Sequence, residues 1–319
     1  MNYYFLGRCV LIVPTLLGIS FLAFGVAALT PGDPAEEILR RTTDRPPSEA
    51  EVAQLRRELG LDRPIPVQYV VWAGRAARGN LGISFATRRP VIGEILHRIP
   101  ASLQLAIPAA FLALAISIPV GIISAIHRNR LVDQMVRICS LAGASIPSFW
   151  LALLLIIFLA VKLSLVPVAG RVGASSVLLP ALTLAVTPAA VLARFTRSAM
   201  LEILGEDYIR SARAKGLPER LVVGRHALRN ALLPVITAFG TSLGHLISGA
   251  VVIESIFAWP GFGKLALDSI LQRDYPMIQG YVLFTGVIFV ALNLIIDLSY
   301  TRIDPRIRFS GGFIRDAAR

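Results

Sequence analysis

The residues that could do chemistry are few, and their spacing excludes most of it. Four histidines, His97, His127, His226 and His245, are scattered along the chain, and the two cysteines, Cys9 and Cys139, sit within or beside apolar runs and read as packing residues. No Cys/His cluster has zinc-site spacing, and neither Gly-x-Ser-x-Gly nor His-Glu-x-x-His occurs, so a hydrolase would lack both nucleophile elbow and zinc helix. Gly261-Phe262-Gly263-Lys264 is the nearest approach to a phosphate-cradling loop. It fails because Leu265 stands where a Ser or Thr hydroxyl would hold magnesium, and Ala258 where the first glycine would be. The chain is expected to have no catalytic residue, no cofactor and no ATP hydrolysis of its own. His245 is the one histidine well inside an apolar run, which makes it a candidate metal contact because imidazole is a common transition-metal ligand. A lone histidine there more often hydrogen-bonds a neighbouring helix.

The other polar feature is a cationic stretch, Gly205 to Pro218, caught between apolar runs. It reads as a short helix at a membrane surface in which Ser211, Ala212 and Ala214 are small, Arg210, Arg213 and Lys215 surround them, and Gly216 followed by Pro218 is the stop. Small residues ringed by cations suit docking into another protein's groove. The simpler alternative is a loop whose cations only set membrane orientation.

The elements that must position this stretch are membrane spans. Of 319 residues 55% are hydrophobic and 16% charged, with a mean hydropathy of +0.67, which a soluble domain rarely reaches. The net charge of +12 lies in loops without aromatic interleaving, so anionic lipid explains it better than nucleic acid. Six apolar runs, about 9–30, 101–126, 135–163, 177–203, 231–257 and 280–300, are each long enough to cross about 30 Å of hydrocarbon. The first is expected to be an uncleaved span rather than a signal peptide. Gly240 and Gly244 form a small-xxx-small pair suited to close helix packing. Residues 31–100 form the long polar segment, expected to be a small helical insert outside the membrane: Ser48 and Glu51 make a capping box for a helix closed by Gly60, and a second helix runs from Pro66 to about Gly79. With the amino terminus inside, seventeen cations fall on the cytoplasmic side and four, Lys162, Arg171, Lys264 and Arg273, in the short outer loops. Both termini and the 205–229 loop are thus expected in the cytoplasm, with 301–319 as a cytoplasmic tail.

The run Asp207 to Leu217, continued by His226 to Pro234, resembles the coupling loop of permease subunits in the peptide/nickel family of ABC importers. Against the general permease signature Ala212 and Gly216 fit, Arg210 and Ser211 replace Glu and the first Ala, and Leu233-Pro234 falls late; these departures resemble the peptide/nickel branch. Other segments that resemble the family are Pro31–Pro34, Leu81–Ser84, Ser145-Ile146-Pro147, Trp259-Pro260-Gly261, Arg273–Pro276 and Asp304–Arg308. The resemblance implies an all-α, polytopic type I permease with six transmembrane helices, whose common transmembrane domain is 101–300, in a bacterial inner membrane. Implied partners are a second homologous permease, two ATP-binding subunits that perform the hydrolysis, an extracytoplasmic substrate-binding protein and membrane lipid. Arg210, Ser211, Ala212, Arg213, Ala214, Lys215 and Gly216 would couple to the ATPase. An ion-coupled secondary transporter or channel is the rival, but it would favour two related halves or intramembrane acids, and no internal repeat is evident, while Glu254 and Asp297 fall near span ends.

For cargo the family divides between nickel or nickel chelates and short peptides. The short 164–176 outer loop and the segments Ile83–Val91 and Ile253–Gly261 resemble the nickel branch, whereas Asp207–Leu217 resembles the peptide branch. Nickel or a nickel chelate is the expectation, with di- or oligopeptides as the alternative.

Overall fold

A computed structural model describes residues 2–29, 32–41 and 45–303. The tail motif Asp304–Arg308, with Arg306, Arg308, Arg315 and Arg319, lies outside the described residues, as do Met1, Thr30 and Pro31, and the side chains of Arg8, Cys9, Gly249, Asp297 and Arg302. The described chain is helical throughout: α1 (Asn2–Leu29), α2 (Pro34–Arg40), α3 (Glu49–Leu59), α4 (Ile65–Ala76), α5 (Val91–Ile126), α6 (Leu131–Ser145), α7 (Ser148–Leu155), α8 (Leu178–Leu204), α9 (Asp207–Ala214), α10 (Glu219–Leu221), α11 (Leu228–Ile256), α12 (Phe262–Leu271) and α13 (Tyr275–Ile303). The six expected spans coincide with α1, α5, α6 plus α7, α8, α11 and α13. Among the described residues, 91–126, 174–204 and 275–296 are long and apolar enough to cross a membrane, and α6 with the helix after it makes a bent fourth.

The chain forms two compact units, residues 1–99 with 265–291 and residues 100–264 with 292–319. In the first, α3 begins with the expected box: Ser48 Oγ accepts from Glu51 N, and Glu51 Oε2 accepts from Ser48 N at 2.9 Å. Gly60 closes it in the left-handed conformation. The α2 helix was not expected, although Asp33-Pro34 is a start signal: Asp33 Oδ1 accepts from Ala35 N at 2.9 Å, and Pro34 occupies a first-turn position that needs no N–H. Tyr69 on α4 shares a 2.8 Å hydrogen bond with Ser20 of α1 and packs edge-on against Phe21 and Phe24.

Two segments singled out in the sequence meet here at one carboxylate. Asp274, 2% exposed, accepts from Ser84 Oγ at 2.5 Å, from Phe85 N at 3.1 Å and from Ala86 N at 3.3 Å. It also accepts from Met277 N at 3.4 Å, capping α13. The contact joins Ser84 and Asp274, which lie 190 residues apart in sequence.

The second unit is built on α8, which packs against α6, α7 and α11. One cluster of buried side chains gathers Leu105, Leu179, Leu184, Ile253, Phe257 and Trp259; another gathers Met200, Ile209, Ala212, Val222 and Ala227. Two expectations change. Helix α5 starts at Val91 and carries Pro100 inside it, because a membrane helix tolerates a proline whose lost bond is local. The third apolar run is not one straight helix: it turns by 103° between α6 and α7, where Ile146, preceding Pro147, is extended (φ −68°, ψ 124°), and it ends in π-helix at 156–162. Arg137, Arg194 and Arg197, counted among loop cations, lie inside α6 and α8. Cys139, expected to pack, is exposed on α6.

Two further buried carboxylates hold the irregular joints. Glu254, fully buried, accepts from Ser102 Oγ at 2.5 Å and from Lys264 N at 2.8 Å, so it stands at the start of α12, and Ser102 Oγ accepts from Phe262 N. A Cβ at Gly261 would collide with this carboxylate, so a side chain there would have to displace Glu254 from its hydrogen bonds. Asp133, also fully buried, accepts from Ser124 Oγ at 2.6 Å and Asn129 N at 2.9 Å, and forms a two-point pair with Arg197 at 2.7 and 2.8 Å. It ties α5, the following turn and α6 to α8.

Removing one member of a buried pair leaves a charge uncompensated, whereas removing both does not. Asp133→Ala is therefore expected to destabilise the protein by about 3 kcal/mol, read as a lower unfolding midpoint in detergent. Asp133→Ala combined with Arg197→Leu is expected to recover part of that loss. A double variant less stable than Asp133→Ala alone would mean that Arg197 is held by other contacts.

Candidate functional site

The cationic stretch is the expected short helix, α9, and its construction is legible residue by residue. Ile209 is fully buried and Ala212 is 7% exposed; they pack with Met200 of α8 and with Val222 and Ala227 of the π-helical segment 222–227. Burying these two side chains holds α9 against the end of the bundle. Arg210, Ser211, Arg213, Ala214, Lys215 and Gly216 face outward. Ala212 thus departs from the expected ring of outward small residues, since its side chain belongs to the chain's own core. The period of the helix explains this, because Ile209 and Ala212 are three apart and share one face.

The helix ends in a Schellman arrangement. Leu217 N donates to Ala212 O at 3.4 Å and Gly216 N to Arg213 O at 2.9 Å, with Gly216 at φ +77°. Nothing lies within 4 Å of a Cβ built on Gly216, so its requirement for glycine is one of backbone conformation and not of space.

Polar contacts fix the cationic rim only in part. Arg213 donates to Glu219 at 2.7 and 3.2 Å, which holds the Glu219 carboxyl below its ordinary range and raises the Arg213 guanidinium. This contact is present above the ordinary carboxyl pKa and is lost as pH falls through the lowered one, and because both groups are about half exposed it contributes little. Arg210 pairs with Asp207 at 3.2 Å and reaches Gly205 O, while Asn230 of α11 donates to Tyr208 OH at 2.7 Å. Ser211, Ala214 and Lys215 present a small-residue surface beside a cation with no ion-pair partner among the described residues. Such a surface can fill a groove on an acidic or polar partner.

Within the same unit, α8 and α11 border a cavity of about 760 Å³. Ser148, Thr183, Thr187, Thr237, Thr241 and Ser242 line it, together with apolar residues and no charged one. Sequence reasoning missed this site. Hydroxyls at helical spacing were the only signal, and they occur equally in helices that merely back-bond to their own carbonyls. Thr183 and Thr237 do so here, at 2.8 and 3.1 Å. His245 lies on α11, and its side chain is outside the described ones. Among the described residues no three His, Cys, Asp or Glu side chains form a group able to hold a metal ion.

The profile of the family described as binding-protein-dependent transport system inner membrane component matches residues 117–309, and that of the amino-terminal part of such membrane components matches residues 1–106. The dipeptide transport system permease protein DppB of Escherichia coli (strain K12) is 39% identical over 339 residues, covering 97% of this chain and 99% of the relative. The glutathione transport system permease protein GsiC of the same strain is 40% identical over 310 residues, covering 97% and 100%. The di/tripeptide permease DppB of Pseudomonas aeruginosa (strain UCBPP-PA14) is 41% identical over 329 residues, covering 94% and 97%. Among solved structures, an inward-facing MetNI methionine ABC transporter chain aligns with a TM-score of 0.55 at 19% identity, covering 66% of this chain and 96% of that one, which establishes the likeness of fold. The all-α, polytopic architecture is that of a type I ABC importer permease, and the chain belongs to the binding-protein-dependent transport system inner membrane components of the peptide/nickel kind.

Proposed function

We propose that this chain is one of two permease subunits in an ATP-driven importer of short peptides, and that α9 is its contact with an ATPase subunit. The observation that carries the reading is the build of α9: an outward face of small and cationic side chains on a helix whose other face is locked into the bundle. A displacement of α9 by an ATPase must move the ends of α8 and α11, because Ile209 and Ala212 have no independent packing. ATP binding then draws the two ATPases together, the bundle turns from inward-open to outward-open, and an extracytoplasmic binding protein delivers cargo. Both termini face the cytoplasm of a bacterial cell, in keeping with the cation distribution.

Peptides are favoured over the expected nickel on two grounds. The relatives above are named for dipeptides, di/tripeptides and glutathione, and the hydroxyl-lined cavity offers hydrogen bonds to peptide groups, with no imidazole, thiolate or carboxylate to grip nickel among its described lining residues. A cavity of about 760 Å³ also falls within the range of small-molecule sites.

In membrane vesicles holding the chain with its partners, uptake of a labelled dipeptide is expected to require ATP and to survive collapse of the proton gradient. Uptake driven by the gradient alone would favour a secondary transporter, and nickel uptake that excess dipeptide does not reduce would restore nickel as cargo. Gly216→Val costs about 1 kcal/mol of backbone strain and is expected to lower uptake severalfold with normal membrane insertion, while the exposed Glu49→Ala leaves it near wild type. Full uptake by Gly216→Val would reduce α9 to a connector.

A further inference from the structure

The hydroxyl-lined cavity does not stand alone. A second cavity, of about 590 Å³, is lined by Arg137, Val191, Arg194, Phe195, Arg197 and Ser198, and Val191 and Phe195 line both. Thr187, Val191, Arg194 and Ser198 follow one another at spacings of four, three and four on α8, so they share one face of that helix. Thr187 to Arg194 spans about 10 Å along the axis, towards the end that carries α9. A charge-free, hydroxyl-rich chamber therefore adjoins a cationic one.

The three arginines differ in what they face. The charge of Arg197 is met by Asp133 in a two-point contact. Arg137 and Arg194 are exposed, have no ion-pair or hydrogen-bond partner among the described residues, and together line a further cavity of about 480 Å³ between α6 and α8. An arginine inside a membrane helix with no counter-ion among the described residues is costly unless it faces water, and such residues mark the path of a charged group. The planar guanidinium fork matches a carboxylate at two points. Among the described residues neither cavity has an acidic or histidine side chain on its wall, so the described lining favours an anion over a bare divalent cation.

We propose that Arg137 and Arg194 form a carboxylate-receiving station on the cytoplasmic side of the hydroxyl-lined chamber, which draws the carboxyl end of a peptide out of that chamber and biases the path towards neutral and acidic peptides. The proposal rests on the peptide-importer reading and adds the charge selectivity of the path. Exposure of both arginines keeps the attraction weak, as passage requires: a site in a conduit must release what it attracts.

The test is uptake by the assembled transporter of alanyl-alanine, alanyl-glutamate and alanyl-lysine, each measured as maximal rate and half-saturating concentration. Arg137→Gln combined with Arg194→Gln is expected to lower the maximal rate for alanyl-glutamate at least about threefold more than that for alanyl-lysine, the scale of a screened charge contact. Half-saturating concentrations, set outside the membrane by the binding protein, stay unchanged, and the corresponding double Lys variant retains the wild-type order. Equal losses for all three peptides in both double variants would show a structural role and overturn the proposal, as would unchanged rates. Equal losses accompanied by loss of co-purified anionic phospholipid would assign the arginines to a lipid headgroup instead, and overturn it too. A wild-type transporter that carries none of the three peptides would sink the peptide reading itself, and this proposal with it.

Discussion

Backbone N–H groups buried where a helix begins or ends are cut off from water, and each must find an acceptor within the protein. Three buried carboxylates supply it. Asp133 accepts from Asn129 N in the turn after α5, Glu254 from Lys264 N at the start of α12, and Asp274 from Phe85 N, Ala86 N and Met277 N before α13. Each also takes a serine hydroxyl from another segment: Ser124, Ser102 and Ser84 respectively. The irregular parts of the chain are thereby as determined as the helices. Asp133 meets the full charge of Arg197, so an uncompensated loss would be especially damaging at the α6–α8 contact.

This rigidity is what makes α9 useful. A helix of eight residues is too short to be stable by itself, and it persists because Ile209 and Ala212 are buried among residues of α8 and the 222–227 segment. The same burial leaves the opposite face unobstructed, with Gly216 ending the helix abruptly. Force applied to the outward face passes into α8, whose other contacts are the Asp133–Arg197 pair and the wall of the hydroxyl-lined cavity. One helix thus borders both the surface that would receive work and the space that would conduct cargo.

Local signals in the sequence were read well where a short motif decides the backbone. The Ser48/Glu51 box, the closing Gly60 and the α9 helix with its Gly216 all depend on near neighbours. What escaped depends on distant partners. The segment before α12 resembles an outer loop in the sequence, whereas Gly261 makes room for Glu254 and Gly263 lets the helix approach the backbone of Val251. The bend at Ile146-Pro147 was quoted as a motif without its geometry, since a proline within an apolar run is as often a mild kink as a turn. Ala212 was placed outward with Ser211 and Ala214, because smallness does not tell which face of a helix is buried. Arg137, Arg194 and Arg197 were counted as orientation signals, and nothing local distinguishes the arginine that meets Asp133 from the two that do not.

The central claim is that the outward face of α9 touches an ATPase subunit. A photo-crosslinking residue in place of Ser211, introduced into the transporter assembled with its partners, tests it directly, with Phe111 of α5, 71% exposed, as the comparison position. The account predicts that irradiation joins the chain to the ATP-binding subunit from position 211 and not from position 111. Cross-linking of position 211 to lipid or to the second permease alone, with the transporter intact and active, would contradict it.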